Sequence, residues 1–313
     1  MSKKTAFLFP GQGSQSVGMG QDLAQHRPAA KAVFDAVNGV LGRDLCSIIL
    51  SGPEEALKDT ANTQPALYAA GLAALACLNE AGIRADYLAG HSLGEYCALQ
   101  AAGVFSFADG LKLVQARATA MAEAAKAQPG TMAAILKMAD ADVEALCAAA
   151  SAAGAVQPAN YNCPGQLVIS GTEAGVATAM EMAKAKGGRG IALPVSGPFH
   201  SQAMQPAGEK LRAAFAAAAW AEPRTPVIAN VDALPVRGVA DIQAKLVAQV
   251  SGAVRWTQTI QYLRAQGVER FVEVGPGKVL AGLVKRTAKD VKVHSVGDVA
   301  SLDQVAAFLA GGL

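Results

Sequence analysis

The sequence predicts an α/β fold in which helices cover both faces of a largely parallel sheet. Short apolar segments typical of buried strands, such as residues 5–9 and 271–274, alternate with longer segments of helical periodicity. Strands that alternate with helices form parallel sheets, because each helix returns the chain to the same edge. At 313 residues, the chain is long enough for one large domain or two unequal ones.

Residues 1–127 contain two predicted strands and four predicted helices. The first strand, residues 5–9, ends at Pro10-Gly11, and the second ends at Gly90. The sequence Thr63-Gln64-Pro65 has the polar cap and early proline of a helix start, and Gly82 is typical of a helix end. Helices are expected at residues 22–40, 62–81, 93–102 and 107–126.

A second unit is predicted between residues 128 and 195. From Pro129-Gly130 onward the order of elements is strand, helix, strand, strand, helix, strand, which is the βαββαβ order of ferredoxin-like domains. We therefore expect a ferredoxin-like domain at 128–195, inserted into a larger domain made of 1–127 and 196–313. Its elements are expected at residues 131–138, 140–150, 156–160, 166–170, 173–186 and 189–195.

The last third returns to the alternating pattern of the large domain. A helix is expected from just after Ser201 to about Trp220. Strands are then expected at 226–230, 271–274 and 291–294, and helices at 241–250, 257–266, 278–289 and 301–310. Gly275-Pro276-Gly277 ends one of these strands in a tight loop.

Composition excludes several classes of protein. The net charge of +2 argues against nucleic acid as a partner, which requires a concentrated basic face. The longest apolar run, residues 66–78, is shorter than the roughly 20 residues that span a bilayer, so no membrane partner is expected. Five cysteines without a C-x-x-C pair indicate reduced thiols in a cytoplasmic protein, and no cluster has metal-ligand spacing.

A candidate nucleophile lies in Gly90-His91-Ser92-Leu93-Gly94, between an apolar strand and a helical pattern. A G-x-S-x-G sequence in this context is typical of a nucleophile elbow, a sharp turn that exposes the serine hydroxyl. The N–H of Leu93 at the helix start could then stabilise an oxyanion. An ordinary glycine-flanked turn is the alternative.

A candidate base and a buried arginine accompany the serine. His200 lies in a Gly-Pro loop just after a predicted strand, and Arg117 lies on the apolar face of helix 107–126. A lone histidine can be purely structural, as we expect for His26 and His294; His91 could be structural or could line the pocket. Because a guanidinium cannot be buried without partners, Arg117 predicts either a structural salt bridge or an anion site.

The usual carboxylate of a Ser-His-Asp triad is not evident. Every acidic residue between Ser92 and His200 lies on or beside a predicted helix. Either a main-chain carbonyl orients the histidine or the third member lies later in the chain, and this counts against a plain esterase.

Six motifs occur together in a fixed order. They are Phe9-Pro10-Gly11-Gln12-Gly13-Ser14-Gln15, Gly90-His91-Ser92-Leu93-Gly94-Glu95, Arg117, Gly197-Pro198-Phe199-His200-Ser201, Val254-Arg255-Trp256 and Glu273-Val274-Gly275-Pro276-Gly277. Together they resemble the malonyl-CoA:acyl carrier protein transacylases of type II fatty-acid synthesis. The resemblance covers nearly the whole chain and implies an α/β-hydrolase-like core with an inserted ferredoxin-like domain.

The resemblance implies a ping-pong acyl transfer. Ser92 would be acylated by malonyl-CoA with His200 as its general base, and the malonyl group would pass to the phosphopantetheine thiol of acyl carrier protein. The N–H groups of Leu93 and Gln12 would form the oxyanion hole. Arg117 would hold the malonyl carboxylate in a bidentate pair.

The resemblance also assigns two further site residues. The main-chain carbonyl of Gln249 would orient the histidine, although Ala253 stands where the family has proline. Phe199, next to the histidine, would favour malonyl over methylmalonyl.

No metal or redox cofactor is implied, and we expect a monomer that acts in the cytoplasm. Acyl carrier proteins are acidic, so a basic docking patch is expected. The candidates are Lys184, Lys186 and Arg189 in the small domain and Lys285, Arg286, Lys289 and Lys292 near the C-terminus.

Two alternatives remain open: a serine thioesterase or hydrolase on the same fold, and a non-catalytic scaffold that binds carrier protein. The sequence also leaves open whether the carrier protein serves fatty-acid or polyketide synthesis.

Overall fold

The computed structural model describes residues 3–311 of the chain. Its strands are β1 (Lys4–Phe9), β2 (Tyr87–Gly90), β3 (Thr131–Leu136), β4 (Val156–Cys163), β5 (Gln166–Gly171), β6 (Arg189–Ala192), β7 (Val227–Ile228), β8 (Val268–Val274) and β9 (Lys292–Val296). Its helices are α1 (Gln21–His26), α2 (Pro28–Leu41), α3 (Cys46–Ser51), α4 (Glu54–Lys58), α5 (Thr60–Glu80), α6 (Gly94–Ala101), α7 (Phe107–Ala127), α8 (Asp140–Ala150), α9 (Glu173–Ala185), α10 (Gln205–Ala216), α11 (Val239–Gln249), α12 (Trp256–Ala265), α13 (Val279–Thr287) and α14 (Val299–Ala310).

Strand β1 lies at the centre of a five-stranded sheet with the order β7-β2-β1-β8-β9. All four pairings in this sheet are parallel. The predicted parallel sheet is therefore confirmed. The carboxyl ends of β1 and β2 lie side by side, with Phe9 opposite Gly90, which places the loops that follow them at one edge. In open parallel sheets that edge is where ligands bind.

A separate four-stranded antiparallel sheet has the order β4-β5-β3-β6, with α8 and α9 in its connections. Main-chain hydrogen bonds connect β4 of this sheet to the loop before α12. Tyr161 N–H donates to the Val254 carbonyl at 2.9 Å, and Val254 N–H donates to the Ala159 carbonyl at 2.8 Å. The small sheet therefore lies beside the loop that connects α11 to α12.

Several sequence predictions of helix and strand bounds were wrong, among them the end of the last small-domain strand, which is Ala192 and not residue 195. The helix expected at 22–40 is two helices, because Arg27, before Pro28, adopts an extended conformation that a helix cannot contain. The helix expected to reach about residue 220 begins with a 3-10 turn and ends at Ala216. The strand expected at 226–230 is only Val227–Ile228, because the chain turns immediately afterward. The short helices α3 and α4 were not predicted.

Helix α5 forms the middle of the main hydrophobic core. It is buried over most of its length, since small alanine side chains on all sides let neighbouring helices pack closely. The side chain of Asp59 caps its start by accepting a hydrogen bond from Ala61 N–H. Within residues 3–311, neither α5 nor any other helix is long and apolar enough to cross a membrane.

Candidate active site

Ser92 lies on the turn between β2 and α6, with a left-handed φ of 51°. The flanking glycines are required by close packing. A Cβ at Gly90 would lie 1.9 Å from the carbonyl oxygen of Gly94, and a Cβ at Gly94 would lie 2.0 Å from the carbonyl oxygen of Phe9. Because real Cβ contacts are never this short, only glycine fits at either position. The predicted strand-turn-helix geometry of a nucleophile elbow is present.

His200 contacts the serine hydroxyl directly: Nε2 lies 2.8 Å from Ser92 Oγ. Its other ring nitrogen, Nδ1, lies 2.9 Å from the carbonyl oxygen of Gln249 and 3.1 Å from that of Gly252. Carbonyl oxygens only accept hydrogen bonds, so Nδ1 carries the hydrogen and Nε2 is free to accept a proton from the serine. The sequence left open whether a main-chain carbonyl or a later carboxylate orients the histidine. In the structure, main-chain carbonyls contact Nδ1. Ala253, in place of proline, does not prevent this contact.

The histidine is held in its neutral form. Burial lowers its pKa to about 3, and the nearby positive charge of Arg117 contributes to the shift. A neutral imidazole with Nδ1 already engaged is in the protonation state that general-base chemistry requires.

Arg117 is buried, with 1% of its surface exposed, and it reaches the serine from α7. Nη1 donates to Gln64 Oε1 at 2.5 Å, and Nη2 donates to Gln249 Oε1 at 2.8 Å and to Ser92 Oγ at 3.1 Å. The guanidinium lies over the ring of Tyr96, 5.7 Å from its centroid. No carboxylate in the described part of the chain lies within salt-bridge distance of the guanidinium. The prediction that Arg117 forms a structural salt bridge is therefore wrong. The Nε–H of this arginine has no hydrogen-bond partner there.

A cavity of about 240 Å³ opens in front of the serine. Met121, Met132 and Leu193 give it apolar walls. All predicted site residues except Gln249 line it: Gln12, His91, Ser92, Leu93, Arg117, Phe199 and His200. Gln249 is completely buried behind Arg117 and His200. The sequence therefore identified residues that the fold brings together from four separate segments.

His91 is both structural and part of the cavity wall. Its Nε2 lies 2.9 Å from Asn162 Oδ1 on β4, and its ring packs against Trp256 at 5.5 Å. Since the amide oxygen only accepts, Nε2 carries the hydrogen, and burial lowers the pKa of this ring. The Gln12 side chain donates to Thr60 Oγ1 at 3.2 Å, which fixes the loop after β1.

Sequence reasoning missed the polar side-chain contacts beneath the elbow, since it named Gln249 only for its main-chain carbonyl. Asn230 Nδ2 donates to the Gly90 carbonyl at 2.7 Å, and its Oδ1 accepts from Ser92 N–H at 2.7 Å. Glu95 Oε2 accepts from Asn230 N–H at 3.1 Å and from Gln249 Nε2 at 2.7 Å. The Gln249 amide also donates to the Ser92 carbonyl at 2.9 Å. One signal was available: Glu95 is a charged residue in an otherwise apolar helix start, where a buried charge demands partners.

The described side chains of this site do not form a group of metal ligands. Within residues 3–311, no three His, Cys, Asp or Glu side chains are grouped closely enough to hold a metal ion.

Comparison with known proteins assigns the chain to a family. The family model described as the acyl transferase domain matches residues 6–308 of this chain. The malonyl CoA-acyl carrier protein transacylase of Bacillus subtilis (strain 168) is 48% identical over 305 residues, covering 96% of this chain and 95% of that protein. The crystal structure of an acyl-carrier-protein S-malonyltransferase from Burkholderia pseudomallei 1710b superposes with a TM-score of 0.93 at 45% identity, covering 96% of this chain and 99% of that one.

A third similar structure is a malonyl-transacylase in complex with its type II polyketide synthase acyl-carrier protein. It has a TM-score of 0.93 and 39% identity, and the match covers 96% of this chain and 98% of that one. Family model, sequence and structure agree over nearly the full length of the chain. The chain therefore belongs to the malonyl CoA-acyl carrier protein transacylase family of acyltransferases.

Proposed function

We propose that this enzyme transfers the malonyl group from malonyl-CoA to the phosphopantetheine thiol of acyl carrier protein. The observation that carries this proposal is the buried Arg117, which has no carboxylate partner in the described chain and lies 3.1 Å from Ser92 Oγ. A buried guanidinium beside a nucleophile is matched to an acyl group that carries its own carboxylate. A malonyl thioester has this feature and an acetyl thioester lacks it.

The first half-reaction acylates Ser92. His200 Nε2 takes the hydroxyl proton as Oγ attacks the thioester carbonyl, and the same proton then passes to the sulfur of CoA as the C–S bond breaks. The products are malonyl-Ser92 and free CoA thiol. In the second half-reaction the carrier-protein thiol gives its proton to His200 and attacks the ester, and Ser92 recovers the proton as the C–O bond breaks.

Two main-chain N–H groups are proposed as the oxyanion hole. Leu93 N–H lies at the start of α6, and Gln12 N–H lies in the loop after the neighbouring strand β1. Neither group is engaged by a hydrogen bond within residues 3–311, and both residues line the cavity. Free donors at a helix start stabilise the negative charge that develops on the attacked carbonyl oxygen.

Phe199 and Gln249 complete the proposed site. Phe199 is 4% exposed and narrows the cavity beside the base, which favours malonyl over an acyl group with an extra methyl. Gln249 orients His200 through its carbonyl oxygen. The scheme uses no metal or redox cofactor, because each proton and each acyl transfer is carried by Ser92 and His200.

We also propose the domain division expected from the sequence. The order β4-β5-β3-β6 with two crossing helices supports a ferredoxin-like domain at 128–195, inserted into an α/β-hydrolase-like domain of 1–127 and 196–313. A monomer acting in the cytoplasm is part of the same proposal.

Carrier protein is proposed to dock on exposed basic residues of the small sheet's unit or of the C-terminal part of the chain. The side chains of Lys184, Lys186 and Arg189 are exposed on the small sheet's unit, and those of Lys285, Arg286 and Lys289 are exposed on and after α13. Clustered basic side chains steer acidic partners into encounter. Lys292 belongs to the second patch and is also exposed.

A transfer assay separates this function from the two alternatives. Labelled malonyl-CoA is incubated with the enzyme, with and without holo acyl carrier protein, and the label is followed. We expect labelled carrier protein to form much faster than free malonate. Rapid malonate release that carrier protein does not suppress would indicate a thioesterase, and no turnover of either kind would indicate a scaffold.

A further inference from the structure

Glu95 is a buried carboxylate that the proposed mechanism does not use. It lies in the first turn of α6, directly after the elbow, and only 1% of its surface is exposed. Its Oε2 accepts hydrogen bonds from Gln249 Nε2 at 2.7 Å and from Asn230 N–H at 3.1 Å. It touches neither the cavity nor the reacting atoms, so any effect on the reaction passes through these neighbours.

The Gln249 side chain is the link between Glu95 and the arginine. An amide has one accepting oxygen and one donating nitrogen, and its two orientations are nearly equal in shape. Here Oε1 accepts from Arg117 Nη2 at 2.8 Å, and Nε2 donates to Glu95 Oε2 at 2.7 Å and to the Ser92 carbonyl at 2.9 Å. The reverse orientation would place an NH₂ group against the guanidinium and an oxygen against the carboxylate. Both contacts would then be repulsive.

We propose that Glu95 is a positioning residue that fixes the orientation of the Gln249 amide and thereby holds Arg117 where it selects a carboxylate-bearing acyl group. This inference rests on the proposed function, because it concerns the selectivity of the same site. A carboxylate is required because it accepts hydrogen bonds and never donates them. A neutral amide or carboxylic acid at this position can donate as well as accept, so it holds the amide less firmly and leaves Arg117 and the Ser92 carbonyl to orient Gln249.

The ionisation of Glu95 makes the selectivity depend on pH. Burial raises the pKa of its carboxyl to about 7, against the hydrogen bonds from Gln249 and Asn230 and the charge of Arg117, which lower it. The other ionisable groups around it are Tyr96 on α6 and Asp232 after β7. His200, with a pKa of about 3, stays neutral across this range and does not titrate with it. Above pH 7 the carboxylate adds to the orientation of the amide, and below it the protonated acid holds the amide less firmly.

The test measures the ratio of kcat/KM for malonyl-CoA to that for acetyl-CoA in the full-length enzyme, from about pH 6 to about pH 8.5. In the unmodified enzyme we expect the ratio to rise about tenfold with an apparent pKa near 7. Glu95→Gln should give a ratio that is about tenfold lower at high pH and independent of pH, while acetyl transfer is largely retained. A merely structural role would lower both activities together and leave their ratio unchanged.

Glu273→Gln is the matched control. Glu273 is also a completely buried glutamate, and its carboxylate accepts from the N–H groups of Leu280 and Ala281, away from the cavity. Its variant should keep the ratio and its pH profile. If Glu95→Gln does not fold, the unmodified enzyme decides: a ratio that is flat between pH 6 and 8.5 overturns the inference. A ratio in Glu95→Gln equal to that of the unmodified enzyme also overturns it. Failure of the proposed function is separate, because the unmodified enzyme would then transfer no malonyl group at any pH.

Discussion

His200 Nδ1 lies 2.9 Å from the carbonyl oxygen of Gln249, and the side chain of the same glutamine accepts a hydrogen bond from Arg117 at 2.8 Å. One residue therefore connects the candidate base to the candidate carboxylate-binding group. Within residues 3–311 the histidine ring is oriented by main-chain carbonyls and by no carboxylate, so no adjacent negative charge stabilises an imidazolium. This arrangement makes the base sensitive to the charge of Arg117.

The first prediction concerns that sensitivity. The positive charge of Arg117 opposes protonation of His200, so Arg117→Ala should raise the pKa of the imidazole from about 3, although burial should keep it below the ordinary value of about 6.5. NMR titration of the labelled His200 ring measures this directly. Arg255→Ala, on an arginine that packs against Tyr161, is the control and should leave the titration unchanged. An unaltered pKa in Arg117→Ala would contradict the coupling.

The second prediction concerns substrate selection. Arg117→Ala should lower kcat/KM for malonyl-CoA about 100-fold or more, because charge-assisted hydrogen bonds to the malonyl carboxylate are lost. Acetyl transfer should be unchanged or increased. Arg117→Lys should recover only part of the malonyl activity, since lysine cannot form the bidentate pair. Steady-state kinetics with both thioesters test this, and undiminished malonyl transfer in Arg117→Ala would refute the carboxylate role.

The third prediction concerns the elbow. Gly94→Ala should destabilise the protein by about 3 kcal/mol, because the new Cβ would lie 2.0 Å from the Phe9 carbonyl oxygen and must displace main-chain atoms. Gly282→Ala, at a helical position with no atom within 4 Å of the added Cβ, should instead stabilise by about 0.5–1 kcal/mol. Urea unfolding of both variants gives the comparison. Equal stability of the two would show that the elbow tolerates a side chain.

The fourth prediction concerns carrier-protein docking. Charge reversal at Lys285 and Arg286 should raise the KM for acyl carrier protein several-fold and spare the KM for malonyl-CoA, because the exposed patch is the proposed docking surface for the acidic protein and does not line the cavity. Reversal at Lys112 and Lys126, exposed on α7, is the control with the same change in net charge. Equal effects on both substrates would indicate a general loss of function and not a docking site.

Local patterns in the sequence were sufficient to predict the elbow and the buried arginine. The glycines around Ser92 indicated a sharp turn, and helical spacing placed Arg117 on the apolar face of α7, where the structure has it. His200 could be proposed from its loop, but its distance from the serine depends on how the fold brings together two residues separated by 108 positions in the sequence.

The polar layer beneath the site could not be predicted in the same way. Asn230 contacts the elbow across 138 residues of sequence, and Gln249 across 157, so no local pattern relates them to Ser92. Helices α3 and α4, with six and five residues, are too short to show a clear helical period. The break before Pro28 was visible in the sequence, because the residue before a proline disfavours the helical conformation.

The central claim is that Ser92 carries the malonyl group between two thiols, and intact-protein mass spectrometry tests it most directly. The unmodified enzyme, mixed with malonyl-CoA, should gain the mass of one malonyl group, and holo acyl carrier protein should remove it and gain the same mass. Ser92→Ala should gain nothing under the same conditions. Malonylation of Ser92→Ala, or an acyl-enzyme that carrier protein does not discharge, would contradict the account.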